Sequence, residues 1–381
     1  MARSITPSEA DLDTSSKPVS GQSGASGASG GAGQPRTRLV DVAKRAKVAR
    51  STAAQALYGS GGSNVRVSDE TADRIRKIAR EMNFQPNRLA RGLRGACTQS
   101  VGAVWSVLEP QTTDAPLVNA ILTQLQSDGY ATYQSNHPIN VEQTCKLLDD
   151  LLSRQLDSLV IRLRPDHYES KDVLDLLGRF RSAIAVVPWA VDGIAIDQVI
   201  HDRDTGMVEV VDHFVATGRR KMLLMLSMRD LTEQRKLQVF RDRMIHHGLD
   251  PDKHITVLDR GIESHEVENI FEHFEKLIES ELNADCQADA IFSSNDVILM
   301  IVARRLRRLG IDVPRRIALA GLNDTLAAQY WDPALAMINR QQDHLVQTVC
   351  NLVNARLADP KRPLECRHVP MKFVVRESAG S

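Results

Sequence analysis

Apolar residues recur along this chain with two different periods. Leu39, Val42, Ala43 and Ala46 share one helical face, and after Lys47 and Val48 the same spacing resumes with Ala53, Ala56 and Leu57. The pattern predicts two short helices joined by a tight turn. Their small alanines allow close approach and leave Arg50, Ser51 and Gln55 on the outward side of the second helix, the face that a recognition helix offers to base edges. Ala72, Ile75, Ala79 and Met82 mark a third helix, capped by Ser68, with Asp69 and Glu70 in its first turn and Asn83 and Pro86 at its end.

Beyond Thr98 the period shortens. Apolar runs at 100–107, 130–134, 158–161 and 183–187 alternate with amphipathic stretches at 117–125 and 141–152, as parallel strands covered by helices on both faces would. From about Val199 a second unit follows, with helices at 206–216, 234–247, 271–279 and 296–309 and strands at 221–227, 255–258, 288–292 and 317–321. The expected fold is an all-α helix-turn-helix headpiece and an α/β body of two doubly wound parallel-sheet lobes. Residues 1–36 form a leader, 37–84 the headpiece, 85–98 a linking segment and 99–376 the body. Lobe 1 takes about 99–200 and 340–358, and lobe 2 about 201–339 and 359–376.

Composition changes this picture in three places. The leader is poor in large apolar residues and includes a Gly, Ser and Ala tract, so it is expected to be disordered. Net charge is zero, but residues 36–98 hold 14 Lys and Arg against 5 Asp and Glu, a surplus of nine. The chain after them holds 32 against 40. A basic module on an acidic body suits a nucleic-acid binder, because Lys and Arg neutralise phosphates. The five cysteines are scattered and lack a Cys-x-x-Cys pair, so they read as buried, reduced thiols, with no disulfide framework and no zinc site. No apolar run nears the roughly 18 to 20 residues of a membrane helix, and no export signal opens the chain; no membrane role and a cytoplasmic location are expected.

Catalytic signatures are missing. His265-Glu-Val-Glu-Asn269 lacks the second histidine of a metalloprotease helix, and no Gly-x-Ser-x-Gly elbow or phosphate loop occurs. Neither an enzyme activity nor a cofactor or metal is expected.

The order Leu39-x-Asp-Val-Ala, Val48-Ala-Arg-Ser-Thr52, a third helix and Pro86-Asn-Arg-Leu-Ala-Arg-Gly-Leu-Arg94 resembles the LacI/GalR (lactose-repressor) family of bacterial transcription regulators. The likeness continues through Asn295-Asp, Leu309-Gly-Ile-Asp-Val-Pro314 and Gly321-Leu-Asn-Asp324 into a periplasmic-binding-protein-like body. It implies a homodimeric regulator, a repressor, that binds an inverted-repeat operator in double-stranded DNA and is modulated by a small-molecule effector between its lobes.

By position, Arg50, Ser51 and Gln55 match the family's base-reading residues. Thr52, Arg88 and Arg91 match phosphate contacts, and Leu93 matches the hinge-helix leucine inserted into the minor groove. Lys47 stands where the family has its turn glycine, which implies a left-handed lysine, and Ala49 replaces a serine. The candidate effector residues are Trp105, Asp202, Lys236, Asn295 and Asn323, with Trp189 beside them. Lys236 occupies the place of the family's ligand-clamping arginine and Asn323 that of its aspartate. The exchange leaves one cleft cation uncompensated, so an anionic effector is expected rather than a neutral sugar. An effector-independent regulator, and a cytosolic solute-binding or enzyme-like protein, are the alternatives.

Overall fold

The computed structural model describes residues 37–58, 66–84, 98–105, 114–138, 140–259, 270–283 and 286–380. The chain divides into two units, Met1–Asn87 and Arg88–Ser381.

In the first unit, helices α1 (Leu39–Arg45), α2 (Arg50–Tyr58) and α3 (Asp69–Glu81) close on Val42, Ala43, Ala46, Ala53, Ala56, Ala72, Ile75 and Ala79. A core made so largely of methyl groups fills only when the helix backbones come near one another. The turn after α1 takes the expected left-handed residue, Lys47 at φ +53°. Its amide donates to the Lys44 carbonyl at 3.2 Å, and the Val48 amide donates to the Ala43 carbonyl at 3.0 Å. This pair of bonds satisfies two carbonyls at the helix end and fixes the direction in which α2 leaves. Ser68 Oγ accepts from the Thr71 amide at 3.4 Å to cap α3.

The second unit contains two six-stranded sheets. Strands β1 (Ser100–Trp105), β2 (Ala131–Asn136), β3 (Ser158–Arg162), β4 (Ala183–Val187), β5 (Asp197–Asp202) and, from the far end of the chain, Cys366–Pro370 form the first. All its pairings are parallel. The second contains β6 (Met222–Leu226), β7 (Ile255–Asp259), β8 (Ala290–Ser293), β9 (Ala318–Asn323), β10 (Ala336–Asn339) and Lys372–Val374. Numbering the last two strands β11 and β12, the sheet orders are β11-β5-β4-β3-β1-β2 and β12-β10-β9-β8-β6-β7. Only β10 with β12 is antiparallel.

Helices cover both faces of each sheet, which is why most of the strands read as unbroken apolar runs. On the first sheet, α5 (Val141–Ser153) and α6 (Lys171–Gly178) pack over Val104, Leu159 and Ile161, while α4 (Asp114–Ser127) and the late helix Gln342–Ala358 pack over Val101, Ala103 and Val160. The second sheet lies between α7 (Asp204–Ala216) with α8 (Leu231–His246) and α10 (Ile270–Glu281) with α11 (Asp296–Arg308). Short helices α9 (Pro251–His254) and α12 (Leu326–Gln329) complete that lobe, and the late helix is α13.

Three expectations are corrected. Asp197–Asp202 belongs to the first sheet, so the chain leaves lobe 1 only after Asp202. The C-terminal stretch is divided: β11 pairs with β5 in lobe 1, and only β12 joins lobe 2. The lobes are therefore joined near Asp202, Arg340 and Met371. The edge strand β11 gave little signal, because of its five residues only Val369 is buried. Of the described cysteines, Cys350 is buried and Cys145 and Cys286 half-buried, but Cys366 is exposed; all four are free thiols. Burial pushes the Cys350 thiol up to about 12.

Two contacts fix the lobe connections. Gly206, in the first turn of α7, lies so close to β10 that a Cβ there would stand 2.5 Å from Ile338 Cγ2. Arg356 of α13 donates from Nε and Nη2 to the Asp197 carboxylate at 2.9 and 2.8 Å, and the same carboxylate accepts from the Glu365 amide at 2.8 Å. The buried pair ties α13 and the approach to β11 onto β5.

Candidate nucleic-acid interface and ligand cleft

In the first unit the buried residues of α2 are Ala53, Ala54 and Ala56. Arg50 and Ser51 are exposed at its N-terminal end, where the helix dipole is positive and its first amides are open to an anion. Thr52 is half-buried. Gln55 is half-buried too and already engaged with a neighbour, so it is less free than its helical spacing implied. Arg88, Arg91 and Leu93 lie outside the described residues.

In the second unit the carboxyl ends of β9 and β10 open onto a cavity of about 860 Å³. Pro116, Arg340 and His344 line it, and Asn323, Asp296 and Met300 line it from lobe 2. A cleft outside the carboxyl ends of parallel strands is where such folds receive ligands. Trp189 of lobe 1 bridges to lobe 2, the Arg235 guanidinium lying 5.1 Å from its ring centre.

Most candidate cleft residues prove to be committed to the scaffold. Trp105 is fully buried, its indole donating to Asp114 Oδ2 at 2.7 Å. Asp202 accepts from the Asp204 amide at 2.9 Å and the Thr205 hydroxyl at 2.7 Å, opening α7. Asn295 caps α11 by accepting from the Ile298 amide at 3.1 Å. Asn323 does line the cavity, with a left-handed φ of +95°.

Lys236 overturns the expectation built on it. It is 4% exposed and ion-paired with Glu233, whose other oxygen accepts from Ser294 at 2.8 Å. Its charge is therefore compensated within lobe 2. Burial pulls the ammonium below its ordinary value, against Glu233 and aided by Arg203.

Sequence reasoning missed a second group of charges at the first sheet's edge. Asp114 accepts from Trp105 and from Arg340, and Arg162 Nε stands 3.9 Å away. Burial alone would raise the Asp114 carboxyl, but Arg340 and Arg162 hold it well below the usual carboxylate range. Burial brings Arg162 down to about 10. His201 donates from Nε2 to the Arg340 carbonyl at 2.7 Å, joining two of the lobe connections, and its Nδ1 is buried without a hydrogen-bond partner. Burial, then Arg340 and Arg162, push its pKa well below the ordinary histidine value. The signal was available: Arg162 and Arg203 each stand at or next to the C-terminal end of a strand.

Comparison with known proteins matches residues 38–87 to the model for bacterial regulatory proteins of the lacI family, and residues 211–379 to a periplasmic binding protein-like domain. The HTH-type transcriptional repressor PurR of Pasteurella multocida is 23% identical over 345 residues, covering 90% of this chain and 98% of its own. Catabolite control protein A of Staphylococcus xylosus is also 23% identical, covering 79% and 86%. Among solved structures, the lac repressor dimer bound to operator and the anti-inducer ONPF superposes with a TM-score of 0.74 at 20% identity, over 91% of this chain and all of that one.

Proposed function

The chain belongs to the lacI family of bacterial regulatory proteins, and from that premise we propose that it is a cytoplasmic repressor that reads an inverted-repeat operator as a homodimer and releases it when an effector enters the interlobe cleft. The observation that carries the DNA reading is α2. Its small buried face seats it against α1 and α3, and Arg50 and Ser51 project from its N-terminal end within a segment that carries a charge of +9. Arg50, Ser51 and Gln55 read base edges, Arg50 by the two-pronged contact that arginine makes with guanine. Thr52, Arg88 and Arg91 hold phosphates, which set register without carrying sequence information. Leu93 wedges into the minor groove at the centre of the palindrome. The cavity beside Asn323 and Arg340 supports an effector site, since a ligand held by both lobes stabilises one lobe arrangement over another.

Binding of the full chain to a library of inverted repeats at fixed salt tests this reading. Arg50→Ala and Gln55→Ala should each relax the preference at one or two half-site positions, with a loss of about 1–3 kcal/mol at the preferred base. Arg91→Ala should weaken all sequences alike and flatten the salt dependence. A uniform loss for Arg50→Ala would remove it from base reading, and tight binding of a monomer to a single half-site would defeat the dimer.

A further inference from the structure

Resting on the reading of the cleft as an effector site, we propose that the charge cluster around Asp114, which reaches the cavity through Arg340, binds an oxyanion, the carboxylate or phosphate group of the effector, between Arg162, Arg203 and Arg340. Strand β3 ends in Arg162, β5 leads directly into Arg203, and the β10 to α13 crossover supplies Arg340, so three separate segments deliver guanidinium groups to one sheet edge. Arg162 Nη1 is buried with no hydrogen-bond partner. The Arg203 side chain, half-buried, makes no ion pair or hydrogen bond among the described residues.

Among the described residues, no acid whose charge bears on Arg203 forms an ion pair or hydrogen bond with it. Asp114 is held by Trp105 and Arg340, Glu233 by Lys236 and Ser294, and Asp230 by the Thr232 amide and hydroxyl at 2.6 and 2.8 Å. Asp204, next along the chain, pairs with Arg235. Asp230 and Asp296 stand on the lobe 2 side and Lys236 is matched by Glu233, while around Asp114 the described residues bring three guanidinium groups, Arg162, Arg203 and Arg340, to one carboxylate. Arginine does not relieve such an excess by losing its proton. A bound anion would engage the unused donors, and a planar guanidinium with free N–H groups matches an oxyanion in shape as well as charge. His201, buried with its Nδ1 unpartnered, is close enough to these arginines to feel all three.

The test uses the full chain with inorganic phosphate, malonate, ribose and glucose, at constant ionic strength made up with chloride. Thermal unfolding and calorimetry are read for the wild type, Arg203→Gln and Arg162→Gln. Phosphate or malonate should stabilise the wild type saturably, and which of the two does so tells a phosphate effector from a carboxylate one. Arg203→Gln should weaken that binding by about tenfold or more, the loss of one charge-assisted partner. Because the substitution removes an unpaired cation, the ligand-free variant should melt no lower than the wild type, an outcome that a purely structural role for Arg203 would reverse. Should Arg162→Gln fail to fold, Arg203→Gln alone carries the comparison.

Stabilisation by phosphate that is equal in wild type and Arg203→Gln would overturn the proposal, as would binding of none of the four probes. Binding of ribose or glucose with both anions inert would overturn the oxyanion while leaving the effector cleft standing. Anion binding that needs Arg203 but leaves operator affinity unchanged would keep the site and defeat the effector reading beneath it.

Discussion

His201 makes the stability of the body depend on pH in a way that one substitution should remove. The ring is fully buried, donates to the Arg340 carbonyl, and faces Arg340, Arg162 and Arg203, all of which oppose a proton on it. Its folded-state pKa lies below the unfolded value near 6.5, so the unfolded chain takes up the proton first. Stability from this source is present above about pH 6.5 and is lost as the pH falls through that value. If the buried ring stays neutral, the loss between pH 7.5 and 5.5 is the cost of withholding one proton from a group of ordinary pKa, about 1.4 kcal/mol. His201→Gln keeps a donor in reach of the carbonyl and does not titrate. All three tryptophans, Trp105, Trp189 and Trp331, lie in the second unit, so urea unfolding followed by tryptophan fluorescence reports on the body alone. The wild type should lose about 1.4 kcal/mol more than His201→Gln between the two pH values. The same pH dependence in both proteins would refute the reasoning, because the other histidines contribute equally to each.

The buried Arg356–Asp197 pair should behave asymmetrically. Asp197→Ala strands a buried guanidinium and should cost about 3–5 kcal/mol in urea unfolding, whereas Asp197→Leu with Arg356→Met should recover most of it. A loss under 1 kcal/mol for the single change would show that water reaches the site. Gly206→Ala sets a methyl against Ile338 and should cost about 1–3 kcal/mol. Combined with Ile338→Ala it should cost less than the two changes summed, and strict additivity would mean that α7 shifts away instead.

Much of the fold was legible because its elements are locally consistent. The alanines of α1 and α2 fix a close-packed helix pair from spacing alone, and the strands buried on both faces announce themselves as apolar runs. Elements whose stability comes from tertiary pairing were harder to see. Strand β10 is four residues long, and β11 is exposed at four of its five positions or partly so, and its place beside β5 rests on backbone bonds formed across more than 160 residues of sequence. The positive-φ lysine at the first turn follows from the resemblance alone, which sets a glycine in that place.

The cleft was less legible, for a reason that lies in how charge works. A motif gives the position of a cation but not of its counter-ion, and the family position that marks Lys236 says nothing of Glu233, one helical turn earlier. At spacing i, i+3 such a pair is an ordinary helix contact, and burial makes it obligatory, since either charge alone would be stranded. The excess that the anionic-effector reading requires arises instead where three chain segments converge, Arg162 and Arg203 from lobe 1 strands and Arg340 from the return crossover, and convergence of that kind is not a property of any one stretch. The proposed oxyanion site keeps the sign of the expected ligand but sets it on other residues. That makes Arg203→Gln, not Lys236→Ala, the substitution that separates an anion site from a scaffold ion pair: Lys236→Ala would leave Glu233 buried and uncompensated and lower stability whatever the ligand, whereas Arg203→Gln removes a charge with no partner to strand.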